Sequence, residues 1–90
     1  MLTLEDIKEK MGRLQNWALD GSMIVKEIMF PDFKAAMDFL NKVAEIAEKH
    51  NHHPYITIDY NHVHLSLITH EINSLSGKDF EVAEEIDKIP

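Results

Sequence analysis

The 90-residue sequence contains no cysteine. A disulfide scaffold, a thiolate metal site and a cysteine nucleophile are therefore excluded. Only three glycines and three prolines are present, and aromatic residues make up 8% of the chain. Low-complexity, repeat and linker segments are absent. No apolar run approaches the length of about eighteen residues that a membrane-spanning helix needs. The opening Met1-Leu2-Thr3-Leu4-Glu5-Asp6 lacks the basic and apolar blocks of a secretory signal, so a cytoplasmic location is expected by default. Basic residues are also scarce: 9 Lys and Arg stand against 16 Asp and Glu, a formal charge of −7. That balance disfavours nucleic acid or an anionic lipid surface as a direct partner, because both select basic patches.

The remaining composition, 44% hydrophobic and 28% charged, is that of a globular protein. One domain over residues 1–90 is expected. A chain this short buries a thin core, which favours association into a homodimer or homotetramer.

Hydrophobic spacing and punctuation define the elements. Thr3-Leu4-Glu5-Asp6 is a capping-box pattern, and Leu4, Ile7, Met11 and Leu14 recur at helical spacing, predicting a helix over 3–11 that ends at Gly12. Asp20-Gly21 is a two-residue hairpin signal inside 14–30. Pro31-Asp32 opens a long helix over 32–50, with Phe33, Ala36, Met37, Leu40, Val43 or Ala44, and Ala47 on one stripe. Residues 55–60 and 63–70 read as strands joined at Asn61-His62. Val63, Leu65 and Leu67 alternate onto one face; His62, His64, Ser66, Ile68 and His70 alternate onto the other. Ser76-Gly77-Lys78-Asp79 caps a last helix over 77–88. The expected fold is α+β: two layers, a four-stranded antiparallel sheet with helices on one face, in the order helix-β-β-α-β-β-α.

Six histidines in a cysteine-free chain are the chemical signal. Imidazole is the side chain whose ordinary pKa allows both acid and base behaviour near neutral pH. His52 and His53 follow the long helix, where the dipole favours a cationic ring, and Pro54 restricts the backbone beyond them. His70 closes the last predicted strand, and a helix end and a strand end can meet at one rim of a two-layer domain. An isolated His-His pair is otherwise a solvated surface feature. His50, His62 and His64 are accounted for by helix-end, turn and sheet-surface positions. Adjacent histidines rarely share one ion, and no thiolate or paired carboxylate completes a set, so no metal ligand is assigned.

Glu48, three residues, His52-His53-Pro54, five residues, Tyr60, nine residues, His70, eight residues, Asp79: this spacing resembles the signature of the pterin-4a-carbinolamine dehydratases. Trp17, Phe30-Pro31-Asp32-Phe33, Tyr60-Asn61, Val63-His64, Thr69-His70-Glu71 and Leu75-Ser76 extend the resemblance over roughly 14–89. The family dehydrates 4a-hydroxytetrahydropterin to quinonoid dihydropterin and water, in recycling of the pterin used by aromatic amino acid hydroxylases. Pterin is then the substrate, and no cofactor is required. The resemblance implies that His52 and His70 are an acid–base pair, their roles interchangeable, and that His53 shares in catalysis and orients the pterin. Glu48 and Asp79 are implied at the substrate-binding site, Glu48 as a partner of an imidazole and Asp79 as a support of the pocket wall. Tyr60 and Trp17 are expected to pack.

One departure is evident. Many members carry an acidic residue and then an aromatic after His-His-Pro, where this chain has Tyr55-Ile56. Ile56 is expected to replace the ring with an apolar contact, Tyr55 pointing to the opposite face. Some family members also serve as dimerisation partners of a transcription factor. A non-enzymatic pterin-binding or dimerisation role is therefore the alternative, and a His-rich metal carrier a further one.

Overall fold

Each helix begins where a side-chain oxygen replaces a missing backbone partner. Thr3 and Asp6 form a reciprocal capping box at α1 (Leu4–Met11). The Asp32 carboxylate accepts from the Ala35 N–H at 2.8 Å and starts α2 (Phe33–His50). Ser76 and Asp79 form the second box, at α3 (Gly77–Asp87). Between them, in the computed structural model, which describes residues 1–90, lie β1 (Ala18–Asp20), β2 (Met23–Met29), β3 (Tyr55–Asp59) and β4 (His62–Leu67). The strands form one antiparallel sheet in the order β1-β2-β4-β3. The α+β architecture and its element order are those expected.

Strand alternation and the helix stripes explain the core. Ile24, Val63, Leu65 and Leu67 face the helices and are fully buried. They pack with Ala36, Leu40 and Val43 of α2 and with Phe80, Val82, Ala83 and Ile86 of α3. Phe33, expected on the apolar stripe, is half exposed at the helix entry. No residue of α1 is buried; Ile7 and Met11 lean on the core, while Leu4 stands in solvent.

The turns differ from expectation by small shifts with clear causes. The first hairpin turns at Gly21-Ser22 rather than Asp20-Gly21, because Asp20 still pairs with Met23 and Gly21 takes φ 59°. A glycine with positive φ at the first loop position suits a two-residue hairpin. The second hairpin turns at Tyr60-Asn61, not Asn61-His62, with Tyr60 at φ 52°. Asn61 is instead tied to Phe30: its side-chain amide donates to the Phe30 carbonyl at 2.8 Å, and its own carbonyl accepts from the Phe30 N–H. The last strand stops at Leu67, short of the expected residue 70. Its partners run out there, Ser66 facing Tyr55 and Leu67 facing Ile24. Thr69 then pairs with Ser74, and His70 sits in the turn between them.

Lys26 falls on the helix-facing side of β2, between Ile24 and Ile28. Its amine is satisfied by Asp87 at the end of α3, at 3.0 Å, and by the Gln15 carbonyl. Asp87 also accepts from the Trp17 indole N–H at 2.8 Å and the Gln15 N–H at 2.9 Å. One buried carboxylate thus pins the chain entering β1, the sheet and the last helix. Asp87→Ala leaves three donors without their acceptor, and a loss of about 2–3 kcal/mol of stability is expected in urea unfolding. A loss below about 0.5 kcal/mol, the range of ordinary surface substitutions, would contradict this role.

α2 and α3 are joined by Glu85, which accepts from Lys49 at 2.9 Å and from His50. The Lys49 hydrogen bond, then that of His50, holds the Glu85 carboxyl below its ordinary value of 4.5. A carboxyl depressed in the folded state stabilises above its unfolded pKa and loses that contribution as pH falls through the folded value. The Tm difference between wild type and Glu85→Gln should therefore be full at neutral pH and shrink as acid protonates the folded-state carboxyl. A pH-independent difference would rule out this linkage.

Candidate active site

α2 ends because Asn51 adopts the left-handed conformation, φ 48°. The chain reverses there, and the His52 N–H returns to the Ala47 carbonyl. This brings His52 and His53 to the rim where β3 starts and where the Thr69–Ser74 turn hangs. Asn51, His52, His53, Pro54, Tyr55, Ile68, His70 and Glu71 line one cleft of about 370 Å³, within the range of small-molecule pockets. The three histidines singled out in the sequence share it.

Their environments are unequal. His52 is 8% exposed, and its Nε2 lies 2.6 Å from Oδ1 of Asp79, which is wholly buried. The other Asp79 oxygen accepts from the Thr69 hydroxyl at 2.7 Å and the Ser76 N–H at 3.0 Å. Thr69 in turn contacts the Ser76 hydroxyl at 2.6 Å. An ionised carboxylate only accepts, so the His52 proton resides on Nε2. Nδ1 has no protein partner, and no buried side-chain nitrogen lacks one, so Nδ1 reaches solvent. His52 thus presents an oriented Nδ1, its ring held from behind by a carboxylate.

His53 is half exposed and pairs through Nε2 with Glu48 at 2.5 Å. Glu48 therefore orients His53, not the ring one turn ahead of it. His70 is exposed at the cleft edge, and Tyr55 packs against it edge-on, ring centroids 5.5 Å apart.

Asp79 is buried behind His52 and reaches the cleft only through that imidazole. Two expectations, for Tyr55 and Tyr60, are corrected by this geometry. Tyr55, expected on the opposite face, lines the cleft, while Ile56 pairs opposite Leu65 on the helix-facing side. Register explains it: Tyr55 lies across from Ser66, on the same sheet face as the sequence Ile68-Thr69-His70 continues. Tyr60 is exposed in its turn and lies outside the cleft; Trp17 is buried in the core. Thr69, which anchors Asp79, enters the resemblance only as the neighbour of His70, with no role of its own.

The family model described as pterin 4 alpha carbinolamine dehydratase matches residues 1–89. The chain belongs to the pterin-4-alpha-carbinolamine dehydratase family. A relative from Sulfurisphaera tokodaii, provisionally designated a pterin-4-alpha-carbinolamine dehydratase, is 42% identical over 98% of this chain and 95% of its own. One from Acidobacterium capsulatum with the same designation is 44% identical over 98% and 96%. The crystal structure of a transcriptional coactivator/pterin dehydratase from Brucella melitensis superposes with a TM-score of 0.89 at 33% identity, covering 94% of this chain and 93% of that one. A pterin dehydratase-like RuBisCO assembly factor of the alpha-carboxysome shares the fold, with a TM-score of 0.69 at 20% identity and coverage of 83% and 89%. These relatives support a dehydratase. No helix of this family member is long and apolar enough to cross a membrane.

Proposed function

We propose that this family member dehydrates 4a-hydroxytetrahydropterin to quinonoid dihydropterin and water, using the imidazoles of the cleft as acid and base. The observation that carries the reading is the meeting of His52, His53 and His70 in one cleft, with His52 held by a buried carboxylate.

The reaction asks for two proton transfers. The C4a hydroxyl must gain a proton as it leaves, and N5 must lose one. His52 Nδ1, left without a protein partner while Asp79 holds Nε2, suits the base. His70, exposed at the edge of the same cleft, suits the acid. The opposite 4a epimer would present the hydroxyl to the other ring and exchange the two roles. His53, fixed by Glu48, would hydrogen-bond the pterin edge, and Tyr55 and Ile68 would supply apolar contact. Neither a metal nor a covalent intermediate is needed for this step.

Such a reaction fits the return of tetrahydropterin to an aromatic amino acid hydroxylase. The chain would work as a dimer or tetramer, its exposed sheet edges available to a second copy. The test is the decay of freshly generated carbinolamine, with protein at catalytic concentration. Many turnovers per chain, faster than buffer, support the proposal; a rate equal to buffer with folded protein rejects it.

A second reading rests on one finding, the word coactivator in the name of the Brucella relative. Under that reading the chain binds pterin or a protein partner without turnover.

A further inference from the structure

We propose that the open face of the sheet, at the end of β4 farther from the cleft, carries a site for one divalent transition-metal ion of the zinc class. Its protein ligands would be His62, His64 and Glu27.

β4 places His62 and His64 two residues apart, so both rings stand on the face away from the helices. Glu27 of β2 is directly across from His64. Both rings converge on one carboxylate oxygen: His64 Nδ1 is 3.4 Å and His62 Nε2 is 3.9 Å from Glu27 Oε1. These are not firm hydrogen bonds, which close to about 2.7–3.2 Å. They are near the spacing of donors around a common ion. Ligands at about 2.0–2.2 Å from tetrahedral zinc stand roughly 3.3–3.5 Å from one another.

In the arrangement observed no three such side chains are placed to hold an ion together, so binding requires these three to turn toward one another. The side chains are 41%, 39% and 63% exposed, so small rotations on an unobstructed face can close the gap. Two imidazoles and a carboxylate suit zinc, copper or nickel, and leave a fourth position to water. Asp59 of β3 lies across from His62 and adds a second carboxylate nearby. The net charge of −7 favours a cation over an anion.

The remaining histidines differ. His50, His52 and His53 are each paired with a carboxylate of their own, and His70 packs against Tyr55. Only His62 and His64 share one carboxylate. The sequence reading assigned both to turn and sheet-surface roles and no metal ligand to the chain. The register between β2 and β4, which brings Glu27 to them, could not be read from β4 alone.

Zinc chloride titrated into chelator-treated full-length protein tests the proposal, with cobalt(II) absorbance as a spectroscopic check. The expected result is one ion per chain and a tetrahedral cobalt band. His62→Ala and Glu27→Gln should each weaken binding by about tenfold or more, while His53→Ala/His70→Ala leaves it intact. Zinc should also raise the Tm of wild type but not of those two single variants. No saturable binding overturns the proposal. So does binding that survives His62→Ala and Glu27→Gln, or that is lost with the cleft double variant.

Discussion

His52→Ala is expected to lower kcat for carbinolamine dehydration by about 10²–10⁴-fold, the usual worth of a positioned general acid or base. The ring is nearly buried, its proton is fixed on Nε2 by Asp79, and its other nitrogen opens to the cleft. Removing it deletes the proton acceptor and also strands a buried carboxylate. Part of any loss in this variant would therefore be folding, and far-ultraviolet circular dichroism must accompany the assay. His70→Ala separates the two effects. His70 is exposed and makes no hydrogen bond through its ring, so its loss should cost chemistry with little stability. His53→Ala should act mainly on KM, because its ring is tied to Glu48 and fits an orienting role. Equal kcat in wild type, His52→Ala and His70→Ala would show that the cleft imidazoles transfer no proton in the slow step.

Asp79→Ala is expected to cost about 3–5 kcal/mol of stability, as removing one partner of a buried charged network does. The His52 ring N–H, the Thr69 hydroxyl and the Ser76 N–H would all lose their acceptor. The capping box of α3 would be lost with them. Asp79→Asn is the more informative change. The amide keeps the volume and one acceptor oxygen, so the fold should survive with a smaller loss. An amide N–H directed at His52 would favour the tautomer with the proton on Nδ1, the cleft nitrogen. The ring would then be a donor where an acceptor is needed, and kcat should fall by at least about 10²-fold with KM little changed. Urea unfolding and a kcat-against-KM comparison check both parts. A folded Asp79→Asn protein with unchanged kcat would reduce Asp79 to a structural residue.

Local signals were readable where one element decides its own geometry. Asp32 and Ser76 cap because an oxygen at the helix start meets free N–H groups, whatever the rest of the fold does. Ala36, Leu40, Val43 and Ala47 form a buried stripe because helical periodicity alone puts them on one side. Val63, Leu65 and Leu67 followed in the same way from strand alternation.

What needed a second element was not readable. The Asp79–His52 contact joins the start of α3 to the end of α2. The signature placed both residues in the site, but nothing in it says that one backs the other. Tyr55 departs from its expected face because its side depends on pairing with Ser66 in β4, not on its distance from Pro54. β4 is three residues shorter than expected at its end, since Ile68 to His70 have no partner strand to pair with. Lys26 was hidden for the same reason: a charged residue on a core-facing strand position makes sense only with Asp87, at the far end of the chain, beside it.

The most direct test of the cleft as a proton-transfer site is stopped-flow decay of freshly generated 4a-hydroxytetrahydropterin, with His70→Ala beside His62→Ala. Both histidines lie at or near β4; one lines the cleft and the other stands on the open sheet face. The account predicts acceleration over buffer by wild type, the same rate for His62→Ala in metal-free buffer, and loss of most of it in His70→Ala. Wild-type rates in folded His70→Ala, or no acceleration by wild type at all, would contradict it.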